Sequence, residues 1–456
     1  MNILHYSLGL PPYRTGGLTK YSFDLMKEQA NLKNNIFLLF PGKISLINKD
    51  TRIKYFKKQN QIDVYELINP LPVPLLNGIS EPKYFMKSCD KEIFRRFLND
   101  NKINIIHIHT FMGLHKELLE VCSELGIKIV YTTHDYFGLC TKVNFVDYKG
   151  DLCKERNLEK CLKCNKSGYS MKTITILQSP IYRFLKNNGV TPKVKALVKK
   201  LKGNRKIVSN DVNEEIEVSS EYRKSFNNLL SYYNDMFKYI DEFLFNSNIA
   251  KSVYEKYIKC TGKVISITHG DIKDNRKIKD FNNDKLKITY LGPNKKYKGF
   301  DLLIDTMKEL NKNYKSDIEL NLYGDRDKLN IETNIKFHGR YSYSQLSSIF
   351  DNTDLLVVPS ICNETFGFIV LEGLSYGVPV LVTDTVGSKD IIDNNKFKKG
   401  IVLKEDYFEL RDSIIRIIND REILSILNRN IINDKFKVGI AFHFKDVELI
   451  YKEVLE

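Results

Sequence analysis

Glu364 and Glu372 stand with seven residues between them, directly after an apolar run, Leu355-Leu356-Val357-Val358, that breaks at Pro359. The pattern predicts a strand, a short polar loop and then a helix, with one carboxylate before the helix and the other two turns into it. A helix that opens at the carboxyl end of a strand offers unpaired N–H groups and a positive dipole end, which suits an anion such as a diphosphate. The two glutamates would then meet different parts of one extended ligand. Taken alone, they read more readily as solvated carboxylates on a helix surface, so the rest of the chain has to decide.

Three other segments carry candidate chemistry. Gly292-Pro293-Asn294-Lys295-Lys296-Tyr297-Lys298-Gly299-Phe300 joins a strand to a helix, and its lysines can neutralise a departing diphosphate or simply be solvated. Gly16-Gly17 lies in the first strand-to-helix turn, where missing side chains let backbone approach a ligand. That turn is not G-x-G-x-x-G, which argues against a dinucleotide cofactor. Thr133-His134-Asp135-Tyr136 follows the apolar run Lys128–Thr132, so His134 sits at a strand end. Further upstream, His107 and His109 alternate with Ile106 and Ile108 and read as ordinary sheet-end residues.

The elements needed to position these residues are legible as a repeating alternation. Strands are expected at 2–6, 36–40, 105–109, 128–132, 242–246 and 263–268, then at 287–291, 319–323, 335–338, 355–358 and 378–383. Amphipathic helices fall between them at 19–31, 114–125, 299–311, 343–351 and 366–376. Strand-helix alternation predicts an α/β fold of two doubly wound, Rossmann-like domains facing each other across a cleft. The expected boundaries are 1–270, a polar linker over 271–284, a second domain over 285–437, and a helix at 438–456 packing back on the first domain. A chain of 456 residues has length for two or three domains. It contains no apolar run of the roughly 18 residues that span a bilayer, and the strand-like start Met1-Asn2-Ile3-Leu4 lacks the pattern of a signal peptide. Eight cysteines are too few for a disulfide scaffold, which fits a cytoplasmic setting.

In combination, the Gly-x5-Lys-Gly turn, Glu-x7-Glu and the following Gly377-Val378-Pro379-Val380 resemble the nucleotide-binding half of GT-B glycosyltransferases, specifically retaining family 4. Gly16-Gly17, Thr133-His134-Asp135-Tyr136, Phe245-Asn246-Ser247 and Thr268-His269-Gly270-Asp271 resemble motifs of that family's first half. The resemblance implies transfer of a sugar from a UDP- or GDP-sugar to a glycan or lipid-linked acceptor, in the making of a polysaccharide or surface glycan. It implies that Glu364 holds donor-sugar hydroxyls and Glu372 the ribose. Lys298, with Lys295, Thr365 and the N–H groups around Phe366 and Gly367, would meet the diphosphate. His134 would lie near the transferred sugar, and Gly16 and Gly17 would approach the phosphates. No metal or other cofactor would be required for catalysis. Where many relatives carry an arginine, this chain has Pro293, so Lys295 or Lys296 would supply the second charge, without arginine's planar fork. Nucleotide-sugar epimerases share the fold and form the alternative within it.

Two further features lie outside that core. Cys140, Cys153, Cys161 and Cys164 can form a four-thiolate structural zinc site or remain reduced thiols; four thiolates would leave no position open for catalysis. The net charge is +15, from 71 Lys and Arg against 56 Asp and Glu. Between 160 and 210 there are thirteen Lys or Arg and no acid, so most of the excess is local. Within it, 190–206 reads as a basic amphipathic helix, either docked peripherally on the inner, anionic face of a membrane or packed on its own domain with a solvated lysine face. Zinc beside lysine also permits a non-catalytic nucleic-acid binder. Few arginines and no interleaved aromatics speak against it, and no nucleic-acid partner is expected.

Overall fold

The computed structural model describes residues 1–45, 47–189, 219–324, 333–393, 397–435 and 437–456. The segment 190–206, the expected basic helix, lies outside the described residues. Two sheets organise the chain. The first contains β1 (Asn2–Tyr6), β2 (Asn35–Pro41), β3 (Arg52–Gln59), β4 (Ile62–Ile68), β5 (Ile105–Ile108), β6 (Lys128–Thr132), β7 (Glu242–Phe245) and β8 (Gly262–Val264). Their spatial order is β3-β4-β2-β1-β5-β6-β7-β8. Every neighbour pair is parallel except β3 and β4. The second sheet contains β9 (Leu286–Gly292), β10 (Ile318–Gly324), β11 (Ile335–Gly339), β12 (Leu355–Val358), β13 (Val380–Thr383) and β14 (Gly400–Leu403), in the order β11-β10-β9-β12-β13-β14. It is parallel throughout.

In both sheets the first strand is central and the strand order reverses beside it, between β1 and β5 and between β9 and β12. Such switch points open a crevice at the carboxyl ends of the strands. The arrangement is the α/β GT-B fold, as expected. Three strands were not expected. β3 is rich in lysine and largely exposed, the composition of a protected edge rather than of a buried strand. β4 does alternate, with Ile62 and Val64 buried, and it turns back from β3 through Asn60 and Gln61, both at positive φ. β14 has only four residues. The strand expected over 263–268 is shorter, ending at Val264, and the helix expected from 366 begins at Phe368.

The last helix, Ile440–Leu455, lies against the helix Gly17–Asn31 of the first domain. Phe444, Val447, Ile450 and Tyr451 share one apolar core with Tyr21, Leu25 and Met26, and the same core takes in Phe366 and Leu371 of the second domain. Among the described residues no helix is long and apolar enough to cross a membrane.

The first domain buries an unusual number of imidazoles. Burial holds His5 at about 4 and His443 at about 4. His134 is held at about 3 by burial and by His443, and burial keeps His107 and His109 well below the ordinary histidine value. In each case the folded state binds its proton more weakly than the unfolded chain. The stability they contribute is therefore present above about pH 6.5 and is lost as pH falls toward the folded values. Asp135, raised by burial to about 6, works the other way, as do Glu242, Asp354 and Glu405, which burial also raises, while His115, lowered by burial, adds to the histidine side. Each histidine costs at most about 1.4 kcal/mol per pH unit below 6.5. Thermal melts at pH 7.5 and 5.5 should therefore show a clearly lower Tm at 5.5; an equal or higher Tm would refute the neutral-histidine core.

Candidate functional site

Two strand-to-helix turns of the second domain are fastened together. The carbonyl of Tyr297 accepts from the N–H groups of Ile361, at 2.9 Å, and Cys362, at 3.1 Å. Gly299, at φ 72°, passes so close to Pro359 that a Cβ there would fall 1.7 Å from its carbonyl oxygen. Only glycine fits that crossing. It places the Lys298 ammonium 3.1 Å from Glu364 Oε1, both half-buried or deeper. Burial disfavours the charged lysine, but the Glu364 carboxylate outweighs it, and the Lys298 pKa ends above its ordinary value. Glu364 itself is held by its backbone: its N–H donates to Thr385 O at 2.9 Å, and its carbonyl accepts from Gly387 N at 3.1 Å. Gly367, at φ 101°, then turns the chain into the helix Phe368–Ser375, whose first N–H groups have no partner within the helix.

Glu372 lies within that helix and is buried, with Oε1 3.3 Å from His269 Nε2. The His269 ring meets Tyr343 at 5.5 Å and Phe368 at 5.1 Å between centroids. Tyr343 titrates well above its ordinary value, first through burial and then through the Glu372 carboxylate. Glu372 thus sits at the join of the domains, beside the His269 imidazole and the Tyr343 phenol. His269 lies in Thr268-His269-Gly270-Asp271, a segment to which the sequence alone assigns no role. Tyr343 carries no local signal at all, because it reaches Glu372 only through the packing of the second domain.

The facing wall comes from the first domain. A Cβ on Gly17 would meet the Phe368 ring at 3.0 Å, so the missing side chain lets the two domains close over the helix start. Gly16, at φ 119°, caps the helix Gly17–Asn31 with open space around it. Thr365 bridges the domains: its hydroxyl donates to His134 O at 2.9 Å, and its carbonyl accepts from Ser247 Oγ at 2.8 Å. Asp24, buried and paired with Lys20 and Lys27, accepts from Gly270 N at 2.8 Å where the chain leaves the first domain.

The expected residues do not all have the expected use. Lys298, Glu364, Thr365, Gly367, Gly17 and His134 are assembled around one cleft. The Phe366 side chain is buried in the shared apolar core, which leaves its backbone, the part expected to meet the diphosphate, to face a ligand. Lys295 is exposed. Lys296 reaches across to Asp151 of the first domain, at 2.6 Å, rather than toward Glu364. His107 and His109 are not sheet-end residues of no consequence but members of a buried hydrogen-bonded chain that includes His134.

Cys140, Cys153, Cys161 and Cys164 line one small cavity of about 30 Å³. Burial pushes the Cys153 thiol up to about 11 and Cys161 to about 12. The donor set suits zinc, but the spacing is wider than that of ligands to one ion. Among the described residues, the triads whose ligand atoms fall within 4.8 Å of one another are His5-His107-His109 and Cys89-His115-Glu117. A larger hollow, of about 800 Å³, opens beyond β4 and combines Lys49, Lys87 and Lys172 with Leu71, Met171 and Ile176.

Residues 271–435 match the family model described as glycosyl transferases group 1. The chain is 27% identical over 186 residues to the uncharacterized glycosyltransferase MJ1178 of Methanocaldococcus jannaschii, covering 38% of this chain and 52% of that one. It is 27% identical over 213 residues to protein CapJ of Staphylococcus aureus, covering 42% and 48%. The chain thus spans about half the length of these curated relatives. Among solved structures, HepE of Anabaena in complex with UDP superposes with a TM-score of 0.59 at 12% identity, covering 99% of this chain and 100% of that one. Sucrose-phosphate synthase of Thermosynechococcus elongatus gives 0.58 at 13% identity, covering 99% and 98%. At these identities the likeness establishes the fold.

Proposed function

We propose that the chain is a glycosyltransferase of the GT-B fold, of the retaining kind, which moves a sugar from a nucleoside diphosphate sugar to a glycan or lipid-linked acceptor. The observation that carries this reading is the Lys298–Glu364 pair just before the helix Phe368–Ser375, whose first residue lies against Gly17 of the first domain. The match of 271–435 to the glycosyl transferases group 1 model supports it. UDP-sugars are the first donors to try, since HepE, of the same fold, has been seen with UDP and with UDP-glucose.

In this reading the diphosphate lies at the helix start, where N–H groups and the Lys298 ammonium neutralise the charge that grows as its bond to the anomeric carbon breaks. Glu364 gives up part of its hold on Lys298 and takes hydroxyls of the sugar. Glu372 takes the ribose. The acceptor hydroxyl attacks from the face the diphosphate leaves and passes its proton to the leaving oxygen, so the anomeric configuration is kept. The hollow of about 800 Å³ on the first domain is the acceptor side, its lysines suiting an anionic group and its apolar wall a lipid stem.

A role in building a polysaccharide or surface glycan belongs to the same proposal, as does peripheral contact with an anionic membrane. The helix Pro180–Asn187, which leads toward 190–206, buries none of its side chains and exposes Ile181 and Phe184. Sedimentation with anionic vesicles tests that contact, and failure to co-sediment would remove it. The cysteine cavity is our candidate for a structural zinc, whose binding would draw the four sulfurs closer together. Metal analysis should find one zinc per chain, lost in Cys161→Ala; a metal-free, fully folded protein would dismiss it.

The direct test of the function is transfer itself. With a donor found by screening UDP- and GDP-sugars, Glu364→Ala should lower turnover by about 100-fold or more while the protein stays folded, and the wild-type product should keep the donor's anomeric configuration. Unchanged turnover in the variant would remove Glu364 from the site. An inverted product would overturn the retaining mechanism, and conversion of the donor without any acceptor would favour an epimerase.

A further inference from the structure

Seven side chains join into one hydrogen-bonded chain through the first domain. His134 Nε2 lies 3.1 Å from His109 Nδ1, and His109 Nε2 lies 3.0 Å from His5 Nδ1. His5 Nε2 lies 2.6 Å from Gln29 Oε1, and Gln29 Nε2 lies 3.3 Å from the Tyr451 hydroxyl. That hydroxyl lies 2.5 Å from His107 Nδ1, and His107 Nε2 lies 2.6 Å from Thr132 Oγ1. His5, His107 and His109 also place ligand atoms within metal-binding distance of one another. All six of their ring nitrogens are already hydrogen-bonded, however, so the cluster reads as a relay of polarity rather than as a metal site.

The chain has a direction, and one residue sets it. A neutral imidazole has one donor and one acceptor nitrogen. Gln29 Oε1 can only accept, so His5 Nε2 carries its proton and His5 Nδ1 accepts. His109 must then donate from Nε2 and accept at Nδ1, and His134 must donate from Nε2. On the other arm the Gln29 amide donates to Tyr451, which donates to His107, which donates to Thr132. Turning the Gln29 amide over would reverse every member of the chain. His134 Nδ1 has no partner among the described residues. Nor is it one of the buried side-chain atoms left without a hydrogen bond, such as Asn246 Oδ1 or His443 Nδ1, so it remains accessible.

We propose that Gln29 and Tyr451 are positioning residues for His134, acting through His5 and His109 to fix it as the Nε2–H tautomer with Nδ1 as an open acceptor. His134 then receives a hydrogen bond from a hydroxyl of the bound sugar and cannot give one. This rests on the reading of the cleft as a sugar-transfer site. It also gives the carboxyl-terminal helix, which supplies Tyr451, a part in the site that its place in the sequence does not suggest.

Two readouts on the full chain separate this proposal from the reading beneath it. The ring 13C and 15N shifts of labelled histidines, measured with UDP present, should report Nε2–H for His5, His109 and His134. In Gln29→Leu and in Tyr451→Phe, His134 should lose its single tautomer. Turnover in both variants should fall about tenfold, while UDP affinity and donor KM stay within about twofold. An Nδ1–H tautomer at His134 in the wild type would overturn the proposal, as would wild-type turnover in Gln29→Leu. A parallel loss of UDP affinity would overturn it too, by marking a merely structural role. If no donor supports transfer, the tautomer measurement still decides the chain on its own, and only the sugar-transfer reading fails.

Discussion

A charge taken out of water must be paired, and the candidate site is built around one such pair. Lys298 and Glu364 come from different strand-to-helix turns of the second sheet and meet only because Gly299 lets one loop cross the other at Pro359. The pair satisfies both charges within the protein, and in the proposed function a diphosphate would compete with the carboxylate for the ammonium. Such a pair adds little net stability, because desolvation offsets much of the attraction. Its value is in holding a cation beside the open end of a helix, where an anion already gains from the unpaired N–H groups.

The second dependence is on how the domains are held together. The cleft has one wall in each domain, so its geometry is only as good as their closure. Gly17 over Phe368 and Thr365 between His134 and Ser247 fasten the domains close to the site, while Asp24 on Gly270 fixes the point where the chain leaves the first domain. The carboxyl-terminal helix adds a further tie by returning to the first domain, where Tyr451 and His443 enter its polar interior. The apolar core shared by Phe366, Leu371, Leu25 and Val447 makes the closed arrangement a packing preference as well.

The sequence was legible where chemistry rides on local pattern. Glu364, Lys298 and Gly17 all lie in turns between an apolar run and an amphipathic one, so their placement at strand ends followed from spacing alone. It was illegible where partners are distant in the chain. His269 meets Glu372 across 103 residues, and His107 meets Tyr451 across 344, and no periodicity reports such contacts. Strand β3 was missed for the opposite reason: its lysines serve an exposed edge, and edges are written in charge rather than in apolar alternation.

Whether the cleft binds a nucleotide is measured directly by titration calorimetry with UDP and with GDP. One of the two should bind, and Glu372→Ala, which leaves the Lys298–Glu364 pair in place, should weaken it by about tenfold or more, a loss of roughly 1.4 kcal/mol. Failure of both nucleotides to bind at about millimolar concentration, some 4 kcal/mol of affinity, or equal binding by the variant, would contradict the assignment of this cleft.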